Sequence, residues 1–271
     1  DRWDEAQDLI TERTSPTTKM GRPDKWASRR RGFARRAMRA GKIDEAYKLA
    51  SQHGLTSGAS FADLEWLSGY IVLTYRDDPQ QALIHFKKFN AAVKSPISLG
   101  RGSYWLGRVY ERLGDFDAAA THYLQGGAYQ TSFYGQLSAQ RIQANPDATL
   151  AGQEPIGDWR KSSFANSSIF AAAVLLHQAN RPTMTRWFMT HMAETLPRNE
   201  IAQLADYAKQ MGSDFVTLGI AKEAAKRGII LPAPYFPITK LATFNKSVAP
   251  EIAMSIARRE SELKPDAISP A

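Results

Sequence analysis

Apolar residues recur along this chain at intervals of three and four, and the recurrence is broken at short range by Gly, Pro, Asn and Asp. Intervals of three and four place side chains on one face of an α-helix, whereas a strand alternates in steps of two. The pattern predicts helices over about 3–13, 23–40, 43–53, 60–76, 79–94, 100–113, 116–128, 132–143, 167–179, 182–195, 199–211, 214–227 and 250–263. Strand-like alternation is almost absent, so the chain reads as all-α. The exception to helix is 230–244, ILPAPYFPITKLATF, whose three prolines are expected to prevent helix until about Asn245.

The helices carry a weak internal repeat. Leu106, Gly107, Tyr110, Gly114, Ala119 and Tyr123 stand at the spacings of tetratricopeptide-type helical hairpins. Ala46, Ala82 and Ala119 are 36 and 37 residues apart, Gly41 and Gly114 each precede such an alanine by five, and Phe86 and Tyr123 each follow one by four. The small residue lets two antiparallel helices approach closely, and the aromatic one turn later fills the groove between them. The intervals exceed the usual 34. The pattern therefore predicts an α-superhelix of stacked helical hairpins and not a true tetratricopeptide array.

Composition and charge narrow the classes. The 271 residues include no Cys, which excludes disulfide scaffolds, Cys-ligated zinc and thiol catalysis, and fits an oxidising compartment such as the periplasm. The best apolar run, Ile71–Leu73, is far too short to cross a bilayer, and the opening DRWDEAQDLI is polar and helix-like instead of a signal sequence. The formal charge of +8 is local: nine cations and one acid lie between Arg22 and Lys42, and the rest of the chain is nearly neutral. Pro23 and Gly41 bracket this segment as a helix, with Trp26, Phe33 and Ala37 as a narrow apolar stripe. Three readings stand: arginines paired with acids of neighbouring helices, a docking surface for an anionic polymer or partner through Arg29, Arg30, Arg31, Arg35, Arg36 and Arg39, or nucleic-acid binding. Against the last, no recognisable nucleic-acid module accompanies the cluster, and no nucleic-acid partner is expected.

Catalytic and cofactor motifs are scarce. His53, His85, His122, His177 and His191 show no metal-ligand spacing, and no nucleophile elbow, P-loop or dinucleotide fingerprint is present, so neither metal nor cofactor is expected. The last helix, 250-PEIAMSIARRESEL-263, is different. Ile252, Ile256 and Glu260 stand at i, i+4 and i+8, and Leu263 continues the stripe. This stripe is expected to face the core, which puts a carboxylate where burial and the helix C-terminus both disfavour its ionised form, as a general acid requires. Glu251 and Glu262 point elsewhere, so a glycosidase-type reaction here would use one carboxylate and not two. The structural alternative is a Glu paired with an Arg of a packed helix.

The run 253-AMSIARRESELKPDAISPA-271 resembles the opening of the catalytic domain of soluble lytic murein transglycosylases, which have a goose-lysozyme-like fold. Ala257, Arg258, Arg259, Glu260 and Ser261 match the helix that carries the family's catalytic Glu, with Arg259 in place of the usual Gln. Pro265, Ala267, Ser269, Pro270 and Ala271 match the following loop, with Lys264 where Asn is common. The stretch 132-SFYGQLSAQRI-142 is similar to a segment of the large members, and the helical solenoid is similar to their superhelical domain. The resemblance implies an α-superhelical domain over 1–229, a Pro-rich linker over 230–247, and the first helix of a lysozyme-like domain over 248–271. It implies Glu260 as the catalytic acid, Ser261 and Ser269 as substrate contacts, peptidoglycan glycan strands as substrate, and a periplasmic location. The family's later cleft residues are not in these 271 residues, and the chain by itself is expected to be inactive. The competing expectation is a non-catalytic helical-repeat scaffold that docks proteins or anionic wall polymer.

Overall fold

Prolines at the first helical turn and side-chain caps set most of the helix starts. In the computed structural model, which describes residues 2–14, 21–243, 247–264 and 266–268, Asp78, Ser95, Asp115, Ser132, Ser167 and Ser213 each accept a backbone N–H from the first turn they precede. The described residues form fourteen α-helices and three short 3-10 turns, with no strand, so the chain is all-α.

Two compact units divide at Pro146 and Asp147. In the first, α1 (Arg2–Glu12) precedes three helical hairpins: α2 (Pro23–Arg39) with α3 (Ile43–Ser51), α4 (Ala59–Tyr75) with α5 (Pro79–Ala92), and α6 (Pro96–Leu113) with α7 (Phe116–Gly127). Helix α8 (Phe133–Arg141) packs on α6 and α7. The hairpins stack in chain order, and their interior is a succession of clusters centred on Leu49 and Ile71, on Phe86 and Val109, and on Tyr104 and Tyr123.

The repeat seen in the sequence has a direct physical counterpart. Ala46, Ala82 and Ala119 are all buried at the contact of the second helix with the first, and Phe86 and Tyr123 fill the adjoining grooves. Gly107 faces the Tyr123 ring so closely that a Cβ there would meet ring atoms at 2.5–2.8 Å. Gly114 ends α6 in the left-handed region, at φ 77°, which reverses the chain into α7. Helix α4 is the exception to amphipathicity. Its apolar residues face neighbours on both sides, and Ile71–Leu73 lies wholly inside the unit.

In the second unit, α9 (Ser168–Gln178) and α10 (Pro182–Ala193) form one hairpin, and α11 (Arg198–Gln210) and α12 (Asp214–Lys226) another. Their shared core holds Phe170, Met189, Leu204, Val216 and Ile220. The Pro-rich stretch does not stay free of helix. Pro232 starts a one-turn helix, α13 (Pro232–Tyr235), because a proline costs nothing at a position whose N–H has no helical partner. Leu231 and Tyr235 are buried there, so this part of the expected linker belongs to the second unit's core. Asn245 lies outside the described residues. The last helix is α14 (Pro250–Glu260).

Candidate functional site

Pro250 begins α14 and Glu251 sits in its first turn, where the helix dipole favours an acid. Ile252, Ile256 and Glu260 do share a face, as their spacing requires, and Ser255 and Arg259 border it. The face is not turned to the core. Ile252 is 54% exposed and Ile256 57%, and Glu260 is exposed with them. The burial invoked for Glu260 from the sequence is therefore absent in this chain. The residues that hold α14 lie on its other side. The Arg258 guanidinium donates from Nε to the Tyr235 carbonyl at 2.8 Å and lies 4.5 Å from the Tyr235 ring and 4.8 Å from that of Phe236.

The helix also ends earlier than its periodicity suggests. Ser261 caps it, and Glu262 and Leu263 both take positive φ, 52° and 64°. Leu263 therefore does not continue the stripe. At this end the Glu262 carboxylate is held by Lys222 of α12 and Arg186 of α10. Burial pushes this carboxyl up, but the hydrogen bonds from Lys222 and Arg186 outweigh it and hold the group below the usual range. Arg186 in turn lies over the Phe215 ring at 4.5 Å, and Gly219 leaves the room its side chain needs.

Two acids two residues apart thus have opposite circumstances. Glu262 takes the ion pairs that fix the end of α14. Glu260 makes no hydrogen bond or ion pair among the described residues and stands open to solvent beside two exposed isoleucines. The Ser261 hydroxyl donates to the Ala257 carbonyl at 2.9 Å, one helical turn back, which leaves its lone pairs as acceptors. Ser269 lies outside the described residues.

The basic helix is partly accounted for by pairing. Arg31 bridges to Asp63, Arg36 to Asp4 at 2.7 Å, and Arg22 to Asp24 at 3.1 Å. Arg30 is no surface residue. It is buried, donating to the Leu49 carbonyl at 3.1 Å and to the Thr14 hydroxyl at 2.6 Å. Its position one turn before Ala34 and two before Ala37 puts it on the inward face, and this removes it from any docking surface. Lys25, Arg29 and Arg39 remain exposed with no ion pair among the described residues.

A second polar centre was not legible as a unit in the sequence. Glu65, 3% exposed in the middle of α4, collects two imidazoles. His53 Nδ1 accepts the Leu55 N–H at 3.0 Å, so its Nε2–H donates to Glu65 Oε1 at 3.3 Å. His85 Nδ1 donates to Glu65 Oε2 at 2.5 Å, and its Nε2 meets the Tyr47 hydroxyl at 3.0 Å. Lys88 Nζ reaches Oε1 at 3.4 Å. Burial pushes the Glu65 carboxyl up, yet the hydrogen bonds from His53 and His85 and the nearby Lys88 charge prevail and hold it at about 2. Glu65, His53 and His85 are buried, with only Lys88 reaching solvent, and the group ties α3, α4 and α5 together, so its role is structural. Among the described residues, no cluster of His, Asp or Glu has the arrangement to hold a metal ion.

No family model, curated protein or solved structure matches the chain. No described helix is long and apolar enough to cross a membrane.

Proposed function

We propose that the natural protein is a peptidoglycan lytic transglycosylase, to which these residues contribute a helical scaffold and the first helix of the catalytic domain. Two things support the reading. One is the resemblance of residues 253–271 to the opening of that domain. The other, which carries the argument, is that Glu260 is left unpartnered among the described residues, at the end of α14, while Glu262 takes the structural ion pairs. A carboxylate needed for packing would be expected to have a partner; a carboxylate needed for proton transfer must be free to meet substrate.

In this reading Glu260 donates its proton to the glycosidic oxygen between N-acetylmuramic acid and N-acetylglucosamine as the C1–O bond breaks. The carboxylate so formed takes the proton of the muramyl C6 hydroxyl, whose oxygen bonds to C1. The product is a 1,6-anhydro sugar, and Glu260 regains its proton. An internal hydroxyl is the nucleophile, so one carboxylate suffices, in agreement with the lack of a second on this face. Ser261 and Ser269 are the proposed substrate contacts. Ile252 and Ile256 beside Glu260 stand exposed, and in this account the rest of the catalytic domain covers them, so the 271 residues alone are inactive. Its substrate places the protein in the periplasm. The test is the identity of the product. Purified murein digested by the natural protein yields anhydromuropeptides, lighter by one water than hydrolysed fragments. Products that are all reducing-end sugars overturn the reading.

A further inference from the structure

The first helices of the successive hairpins in the first unit share a continuous polar and aromatic face. Asp63 of α4 bridges to Arg31 of α2, and it forms an ion pair with Arg101 of α6 at 3.6 Å. The Arg101 guanidinium lies 4.8 Å from the centroids of both Trp66 and Phe89. Arg35, one turn along α2 from Arg31, is half-buried on the same face of that helix and has no ion pair among the described residues. Beyond Arg101, Trp66 meets Trp105 edge-on at 6.0 Å, and Trp105 meets Tyr134 of α8 at 6.3 Å. Three cations therefore stand against one acid along a partly exposed strip that ends in aromatic edges. The side chains of Arg31, Asp63 and Arg101 are 35%, 33% and 25% exposed.

The chemistry of the strip selects its ligand. A sugar or a base would need an open ring face, but Tyr70 stacks on Trp66 under Arg101, and Phe86 stacks on Trp105 at 5.6 Å. With ring faces stacked and the indole N–H groups of Trp66 and Trp105 buried, the guanidinium groups are what the strip offers a ligand, and these suit carboxylates. Arg31 and Arg35 on α2 and Arg101 on α6 flank Asp63 of α4, so one extended segment crossing the three helices can meet all three cations. We infer that this face binds an extended acidic peptide segment of a partner protein, whose carboxylates are received by Arg31, Arg35 and Arg101. The inference is independent of the role of Glu260.

The probe is a fluorescein-labelled decapeptide of alternating Glu and Thr, titrated with the 271-residue chain and followed by anisotropy. Arg35→Gln and Arg101→Gln are expected to weaken binding at least tenfold. Arg39→Gln removes the same charge from an exposed position elsewhere on α2 and is expected to change it less than twofold. If Arg101→Gln loses its helical circular dichroism, Arg35→Gln decides. Equal losses for Arg35→Gln and Arg39→Gln would mean general attraction to a cationic protein and overturn the site. So would equal binding of the Gln–Thr decapeptide, tighter binding of a decathymidylate or a chitohexaose that Arg35→Gln abolishes, or no binding of the Glu peptide.

Discussion

Replacing Glu65 by Gln keeps the shape of the side chain and removes its charge from the centre of the His53, His85 and Lys88 group. The carboxyl falls from an ordinary 4.5 to about 2 in the folded chain, which is worth about 3 kcal/mol of stability at pH 7. The folded-state value is the lower one. The contribution is therefore complete above the ordinary carboxylate range and is lost as pH falls from about 4.5 towards 2, with about 2 kcal/mol gone by pH 3. Urea denaturation of Glu65→Gln and the unsubstituted chain at several pH values measures this, and hydrogen exchange of the α4 amides isolates the first unit from the second. The variant is expected to be less stable by about 3 kcal/mol at pH 7, with the gap closing below pH 4. A variant as stable as the parent at pH 7, or a gap that does not narrow in acid, would refute the reasoning.

Three further substitutions probe other parts of the account. Gly107→Ala drives a Cβ into the Tyr123 ring and should lower stability by about 1–3 kcal/mol, seen as a lower melting temperature; an unchanged melt contradicts the close α6–α7 approach. Arg30→Met removes buried hydrogen bonds to Leu49 and Thr14 and should cost about 2–3 kcal/mol in chemical denaturation, whereas Arg39→Met, at an exposed site, should cost little. Glu262→Gln releases the end of α14 from Lys222 and Arg186, so exchange of the amides in 250–260 should quicken several-fold; because α14 has no buried residue of its own, the global melt should barely move.

Local rules made the helices legible. Pro23, Pro79, Pro182 and Pro250 and the capping Asp and Ser residues mark starts that periodicity alone leaves loose, and the repeat of Ala46, Ala82 and Ala119 marked the hairpin contacts. The start of α6 at Pro96 lies four residues before the predicted one, although Ser95 and Pro96 form the same cap-and-proline signal that marks other starts. The end of α14 was misplaced by three residues: Glu262 and Leu263 leave helical geometry, and Glu262 pairs with Lys222, forty residues away, a contact that periodicity cannot register. Periodicity also assigns Ile252, Ile256 and Glu260 to one face without saying whether anything covers it, and that is why the core-facing expectation failed. Glu65 was a readable anomaly, an acid set directly between the apolar Leu64 and Trp66 of α4. Its partners, at sequence separations of 12 and 20, are brought to it only by tertiary packing. Arg30 could have been told from its neighbours, since it shares the Ala34 and Ala37 face.

The claim that matters most is the division of labour between two acids, Glu260 for proton transfer and Glu262 for structure. It is tested most directly by placing Glu260→Gln and Glu262→Gln separately in the natural protein and measuring the release of 1,6-anhydromuropeptides from purified murein by mass spectrometry. Glu260→Gln should abolish the product with the helical circular dichroism unchanged, and Glu262→Gln should retain measurable release. Anhydromuropeptide release that survives Glu260→Gln at the parent rate contradicts the account.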